Sequence, residues 1–356
     1  MERVTTYKEW YMTAQDGRLV VLSFMPEMIK VDYDSAFGNT TEVEWLIFDP
    51  SDPEGLAARA TEIDLATGLF GAKPPRPNFR MFPNLQAVLL ATGGYENLTA
   101  DMIPDGCMVA NTFEHEDSIA DWVIMSMTML SRNTVGVDRA FRNHTLRSLP
   151  EMGGPSLDMS QATLGVVGLG HIGSRLVQLA RAHNVRCLVA MRTPISDQEA
   201  SEQGIDHVYP MDSLHEMLLD CDFVVPAVPL SDSTRGLFGE AEYTTMKDSA
   251  YIINIARGAV LDEESTYLAL KNNVIAGAAI DAWWEEDSAG LTTDDPERRK
   301  WSKQPFWELD NVLMSPHRSG ITSTMISGKL MFVGTQIDRF ARGEPLKNII
   351  PELSKG

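Results

Sequence analysis

Residues 161–193 constrain this chain more than any other stretch. A short apolar run at 164–167 leads into Gly168-Leu169-Gly170-His171-Ile172-Gly173, after which Leu176, Val177, Ala180 and Ala182 recur at helical spacing. A second apolar run, 185–191, closes the unit, so the order reads strand, glycine turn, helix, strand. Each glycine has its own physical reason. Gly168 permits the tight turn, Gly170 lets the backbone lie against a pyrophosphate, and Gly173 lets the helix pack closely on the strand. The helix amino end, from His171 and Ile172 onward, adds unpaired N–H groups that favour an anion. Glycine spacing alone would fit a simple turn; with both flanking strands it predicts a dinucleotide site.

The end of the second strand then bears on which dinucleotide. An acidic residue there would accept hydrogen bonds from the adenosine ribose and repel a phosphate on it. This chain has Met191-Arg192-Thr193 instead. Arg192 suits a 2'-phosphate and Thr193 can donate to it, which favours NADP(H). The alternative keeps NAD(H), with Arg192 a solvated residue at a strand end.

A chain of 356 residues is long for one hydrophobic core and fits two domains. The formal net charge of -20 argues against a nucleic-acid partner or an anionic membrane surface. An anionic substrate must therefore be captured by locally placed cations. No basic amino-terminal segment precedes an apolar stretch, and the longest apolar helical run, around 122–130, is too short to span a bilayer, so a cytoplasmic protein is expected. Cys107, Cys187 and Cys221 lack metal-ligand spacing and are expected to be reduced and buried; no metal site is expected.

Apolar runs at 19–24, 45–48 and 85–90, separated by helical or loop segments such as 53–69, suggest a small α/β domain of their own. The run Lys73-Pro74-Pro75-Arg76-Pro77 reads as a rigid surface turn. After 85–90 comes Ala91-Thr92-Gly93-Gly94-Tyr95-Glu96, whose paired glycines expose backbone N–H groups that suit either a carboxylate or a plain turn. A helix is expected from Ser118, with Ile119, Trp122, Val123, Met125, Met127 and Met129 spread widely around it, implying burial on most sides against a second domain or a second subunit. Residues 143–160 read as a loop. Beyond Met191, helices at 211–219 and 261–272 alternate with strands at 223–228, 250–255, 274–280 and 312–314, which implies a doubly wound parallel sheet. Ligands bind such sheets beyond the carboxyl ends of the strands.

Arg257, Glu286 and His317 fall at or just past those ends. A guanidinium fork suits a carboxylate with an adjacent carbonyl oxygen; the competing role for Arg257 is a surface arginine capping a strand. Of the seven histidines, only His317 sits after a central strand in a proline- and glycine-fixed loop, Ser315-Pro316-His317-Arg318-Ser319-Gly320. His171, inside the glycine turn, is expected to touch the pyrophosphate. An imidazole backed by a carboxylate such as Glu286 can serve as an acid/base.

The glycine turn, Asn254-Ile255-Ala256-Arg257-Gly258-Ala259-Val260-Leu261-Asp262-Glu263, Ala279-Ile280-Asp281-Ala282-Trp283-Trp284, Ser315-Pro316-His317 and Gly343-Glu344-Pro345-Leu346 occur here in one order. Together they make residues 85–349 resemble the D-isomer-specific 2-hydroxyacid dehydrogenases. The resemblance implies a doubly wound parallel-sheet (Rossmann) dinucleotide-binding domain, 114–319, inserted in a smaller flavodoxin-like α/β substrate domain, 1–113 and 320–356, with hinges near Asn111 and Ser319. It implies that Arg257 binds the substrate carboxylate and carbonyl, that His317 is the acid/base, and that Glu286, five residues past the Asp281 that holds the nicotinamide amide, pairs with His317. It places the substrate cradle on Thr92, Gly93 and Gly94. Cofactor contacts fall on Gly168, Gly170, His171, Ile172, Gly173, Arg192, Thr193, Ala227, Val228, Pro229, Thr234, Ile255, Arg257, Asp281, His317 and Gly320.

The sequence departs from the family pattern in three places. No proline follows Glu286, so Glu285 is a rival for its role; Ala227 stands where a histidine is frequent; and the charged run 294–300 lengthens the segment before His317. The expected activity is interconversion of 2-keto acids and D-2-hydroxy acids with NADP(H), as in glyoxylate/hydroxypyruvate reductases, in a homodimer. The alternatives are a dinucleotide-sensing corepressor and a formate dehydrogenase, the latter disfavoured by the glutamates near the histidine.

Overall fold

The computed structural model describes residues 18–25, 32–68, 78–95, 98–145, 155–285 and 301–354. The proline run 73–77, Glu96, residues 146–154 of the loop at 143–160, Glu286 and the charged run 294–300 lie outside the described residues. The described residues form two compact units, one up to Glu114 and again from Thr322, the other from His115 to Ile321.

The first unit contains β1 (Leu19–Ser23), α1 (Tyr33–Phe37), β2 (Val43–Ile47), α2 (Pro53–Ala58), β3 (Leu65–Gly68), β4 (Ala87–Leu90), β5 (Met108–Ala110) and, from the carboxyl end of the chain, a long helix at Ser323–Ala341. Its five strands are parallel in the order β2-β1-β3-β4-β5, the 2-1-3-4-5 order of flavodoxin-like sheets. One face buries Leu22, Phe79, Phe82, Val88 and Leu353. The other buries Val21, Phe37 and Leu89 with Leu330, Val333, Ile337 and Phe340 of the long helix. That helix lies so close to α1 that a Cβ on Gly334 would stand 1.8 Å from the Phe37 carbonyl oxygen. The tail pairs with β5 through an Ala110–Ile349 bridge, which ties the two ends of the chain into one unit.

Strand β3 occupies the end of the 53–69 segment expected to be helical or loop, and it sits mid-sheet between β1 and β4. Its sequence, Leu-Ala-Thr-Gly, lacks an apolar run because its surroundings demand small residues: a Cβ on Gly68 would stand 2.3 Å from the Phe24 ring. The Thr67 hydroxyl survives burial by donating to the Leu89 carbonyl at 2.8 Å.

The second unit contains α3 (Glu116–Ser131), α4 (Thr134–Arg142), β6 (Thr163–Val167), α5 (His171–Ala182), β7 (Arg186–Met191), α6 (Asp197–Glu202), β8 (His207–Pro210), α7 (Leu214–Leu218), β9 (Phe223–Pro226), α8 (Glu240–Thr245), β10 (Tyr251–Asn254), α9 (Glu263–Lys271), β11 (Gly277–Ile280) and β12 (Val312–Met314); the long helix of the first unit is α10. Its sheet is parallel in the order β12-β11-β10-β9-β6-β7-β8. Chain direction across the sheet reverses between β6 and β9, the doubly wound switch point at which such sheets bind ligands. Every residue of β6, β9 and β11 is buried, since helices cover both faces, so these strands read as apolar runs rather than alternating ones. Fully burying each large apolar side chain here, such as Leu164 or Val166, contributes roughly 1.5–3 kcal/mol.

Two details differ from expectation. Strand β8 (His-Val-Tyr-Pro) is a half-exposed edge with no apolar run to signal it. Helix α3 starts at Glu116 rather than Ser118, with Glu116 and Asp117 complementing its amino-terminal dipole. Within the chain Ile119, Ala120, Val123, Ser126 and Met127 of this helix are buried, whereas Met125 is 43% exposed. No helix among the described residues is long and apolar enough to cross a membrane.

Candidate active site

The carboxyl edge of the second unit's sheet gathers most of the residues singled out above. At the switch point, Gly168 has φ +100, and a Cβ there would stand 2.7 Å from the Ala227 carbonyl oxygen. The turns after β6 and β9 therefore press together, and Ala227 N–H donates to the Val167 carbonyl at 2.8 Å. A Cβ on Gly173 would lie 2.1 Å from the Gly168 carbonyl oxygen, so the helix can approach the turn only with glycine there. At Gly170 a Cβ would meet no atom within 4 Å. Among the described residues nothing fills that space, as expected where a ligand lies against the backbone.

Gly170 is the amino-cap of the twelve-residue α5 and, having no side chain, makes no side-chain cap hydrogen bond to the helix amino end. A cleft of about 490 Å³ opens there, lined by Glu116, Leu169, Gly170, His171, Ser174, Arg175 and Gln178. These features fit a dinucleotide: open space over glycine, an uncapped helix amino end, and positive dipole for a pyrophosphate. His171 is exposed with Nδ1 3.8 Å from Glu116, and Arg175 pairs with Asp117.

Past β7, Arg192 and Thr193 are both exposed. Past β9, Thr234 closes the Val228-Pro229 loop, donating to the Pro229 carbonyl at 2.6 Å and accepting from Ser231 N–H at 2.8 Å. Ile255 is buried and Gly320 lies beside Ile119 of α3. Arg257 begins the turn after β10, half-buried, with Nη1 donating to the Ala256 carbonyl at 2.8 Å. Asn254 fixes that turn: its Nδ2 donates to the carbonyls of Arg257 and Ala282, both at 3.2 Å, and its Oδ1 accepts from Ala256 N–H at 3.2 Å.

His317 follows β12 with φ +53, a left-handed conformation that costs a non-glycine residue on the order of 1 kcal/mol. Asp281, buried at the end of β11, offsets that cost. Its carbonyl accepts from His317 N–H at 3.0 Å, and its carboxylate accepts from Arg318 N–H at 2.7 Å, Ser319 N–H at 3.0 Å and the hydroxyls of Ser315 and Ser319. Three successive N–H groups, 317 to 319, thus converge on one residue. Asp281, expected to hold the nicotinamide amide, also has both carboxylate oxygens bonded to the loop that carries His317. Ser315, Ser319 and Asn254, which the sequence presents only as parts of motifs and a hinge, receive no such role there because what they do is satisfy buried backbone. The available signal was polar residues flanking the Pro-His pair and ending an otherwise apolar strand.

Glu285, the rival partner for His317, pairs instead with Lys303 Nζ at 3.2 Å. In the first unit, the turn after β4 is held internally: Asn111 Nδ2 donates to the Gly93 carbonyl at 2.7 Å, and Thr112 N–H donates to that of Thr92 at 3.1 Å. Cys107, Cys187 and Cys221 are buried, and burial pushes each thiol up to about 12. They remain protonated near neutral pH and make poor nucleophiles.

Residues 124–319 match the family model described as D-isomer specific 2-hydroxyacid dehydrogenase, NAD binding domain. The chain belongs to this family. As a D-2-hydroxyacid dehydrogenase it is an NAD(P)-dependent oxidoreductase of keto and hydroxy acids. A glyoxylate reductase from Pyrococcus horikoshii is 29% identical over 297 residues, covering 82% of this chain and 84% of that one. A second, from Korarchaeum cryptofilum, is 28% identical over 315 residues, covering 86% and 88%. Among solved structures, an NAD-complexed D-2-hydroxyacid dehydrogenase from Lactobacillus delbrueckii ssp. bulgaricus superposes with TM-score 0.78 at 21% identity, covering 93% of this chain and 100% of that one. An NADPH-dependent glyoxylate/hydroxypyruvate reductase from Sinorhizobium meliloti, complexed with NADP and sulfate, gives 0.73 at 23%, covering 95% and 99%. These likenesses establish the shared fold of the dehydrogenase, and both dinucleotides occur among the relatives.

Proposed function

We propose that this dehydrogenase reduces small 2-keto acids of the glyoxylate and hydroxypyruvate kind to D-2-hydroxy acids and prefers NADP(H). The observation that carries the reading is the convergence of the Arg257 turn and the His317 turn on one segment, 281–283, at the same sheet edge as the glycine cradle. Arg257 orients the substrate through its carboxylate and carbonyl oxygen, which a planar fork recognises in a bidentate manner. When bound, the reduced nicotinamide supplies a hydride to C2 of the keto acid. His317 gives its proton to the carbonyl oxygen as that oxygen gains charge, and regains one from solvent. Glu286 is assigned as the carboxylate behind His317. Arg192, exposed past β7, is assigned to the 2'-phosphate.

The test is to mix purified protein with NADPH and a panel of 2-keto acids of increasing size while following loss of NADPH absorbance. Small keto acids should be reduced, and His317→Ala should lower turnover by about two to four orders of magnitude while NADPH affinity stays near wild type. No turnover with any keto acid would favour a dinucleotide sensor, and equal loss of turnover and cofactor affinity would misplace His317.

We also infer a homodimer. Val135 and Phe141 of α4 and Met125 of α3 are 45%, 73% and 43% exposed, and α4 buries none of its residues within the chain. Light scattering should return twice the 39.4 kDa chain mass; a value at the chain mass refutes it.

A further inference from the structure

The left-handed His317 is suspended from two sides, and only one of them is Asp281. On the other, the indole Nε1–H of Trp283 donates to the Ser315 carbonyl at 2.8 Å, two residues before His317. Trp283 is 4% exposed, and its ring packs edge-on against Phe306 with centroids 5.9 Å apart, and against Trp284 at 6.2 Å. Trp284 is itself stacked on Phe306 and donates to the Leu261 carbonyl at 2.8 Å. The indole donor therefore has a direction fixed by packing, and it cannot follow the loop if the loop moves. The backbone of the same residue limits the other turn: a Cβ on Gly258, next to Arg257, would lie 2.1 Å from the Trp283 carbonyl carbon.

We propose that Trp283 is a positioning residue for the proton-transfer step: its side chain sets the loop that presents His317, while its backbone bounds the turn that presents Arg257. This rests on the assignment of His317 as the acid/base. An aromatic ring without a donor would keep most of the packing, but would leave the Ser315 carbonyl with only the His317 N–H at 3.1 Å and remove the hydrogen bond that ties the loop to the Trp283 side chain. A neutral hydrogen bond is worth about 0.5–1.5 kcal/mol net, so loss of the indole donor should reduce alignment at the transition state rather than unfold the site.

The experiment is a double-mutant cycle on the full chain, with kcat, KM and NADPH dissociation constants measured for wild type, Trp283→Phe, His317→Ala and the pair, alongside thermal melts. Trp283→Phe should lower kcat about two- to tenfold, with NADPH affinity within about twofold of wild type. In the His317→Ala background the same change should cost almost nothing further, because the group being positioned is gone. Equal fold losses in both backgrounds, or a loss of NADPH affinity that matches the loss of kcat, would overturn the proposal. If His317→Ala by itself barely affects turnover, the acid/base assignment has failed, which is a separate result from a multiplicative cycle. Should Trp283→Phe melt far below wild type, benzothienylalanine incorporated at position 283 removes the N–H while nearly preserving ring size. Its kcat must then fall in the same way, and unchanged kcat overturns the proposal.

Discussion

Replacing Gly170 by alanine separates what the fold needs from what the dinucleotide needs. Gly170 has φ -84 and ψ -163, backbone that alanine adopts without strain. Its Cβ would meet no atom of the described residues within 4 Å. Two small stability effects oppose each other: fewer unfolded conformations favour alanine by about 0.4–1 kcal/mol, and a poorer amino-cap disfavours it by a similar amount. The net change should lie within about 0.5 kcal/mol of zero. The methyl group would, however, stand over the amino end of α5, where a pyrophosphate must come within hydrogen-bond reach of the backbone. Loss of one charged hydrogen bond, about 1.5–3 kcal/mol, predicts a dissociation constant for NADPH raised roughly tenfold to somewhat over a hundredfold. Fluorescence titration of NADPH and a thermal melt read the two quantities separately. Gly173→Ala is the contrasting control: its Cβ would stand 2.1 Å from the Gly168 carbonyl oxygen, so the melt itself should fall. Gly170→Ala protein that binds NADPH within twofold of wild type would refute the placement of the pyrophosphate, and so would one that loses fold and affinity together.

Exchanging Arg192 for serine should weaken NADPH much more than NADH, by about tenfold or more in the ratio of dissociation constants; an unchanged ratio would remove the cofactor preference. Asp338 gives a pH prediction. Burial raises its carboxyl, but the hydroxyls and N–H groups of Thr41 and Thr40 together outweigh burial and hold it below the ordinary value. The folded chain therefore binds this proton more weakly than the unfolded chain. The stabilisation is complete above the unfolded value near pH ~4 and is lost as pH falls through the lower folded value. Acid unfolding of the wild type should be steeper in that range than that of Asp338→Asn, and identical profiles would refute it.

Much of the second unit was readable from pattern because its strands are buried on both faces, so β6, β7, β9 and β11 appear as apolar runs. Strands β3, β5 and β8 escaped; β5 is only three residues long, and β3 and β8 escaped for opposite reasons. β3 is so tightly enclosed that it needs glycine and threonine, and β8 is an edge with half its surface wet. Helix α3 reads as buried on most sides because methionine reads as core; within the chain its partners lie along one face, which leaves Met125 for the proposed second subunit. In the site, Arg257 and His317 could be picked out by position after a strand. Asn254, Ser315 and Ser319 could not, since their work is to satisfy backbone groups brought near only by folding.

The sequence by itself determined the strand–glycine–helix cradle, because turn geometry and helix-end electrostatics are local and depend on residues next to one another. The tertiary structure alone decided what Asp281 and Trp283 do. They face a loop more than thirty residues away in the chain, and only the register of β11 beside β12 brings their donors and acceptors within reach of the backbone around His317.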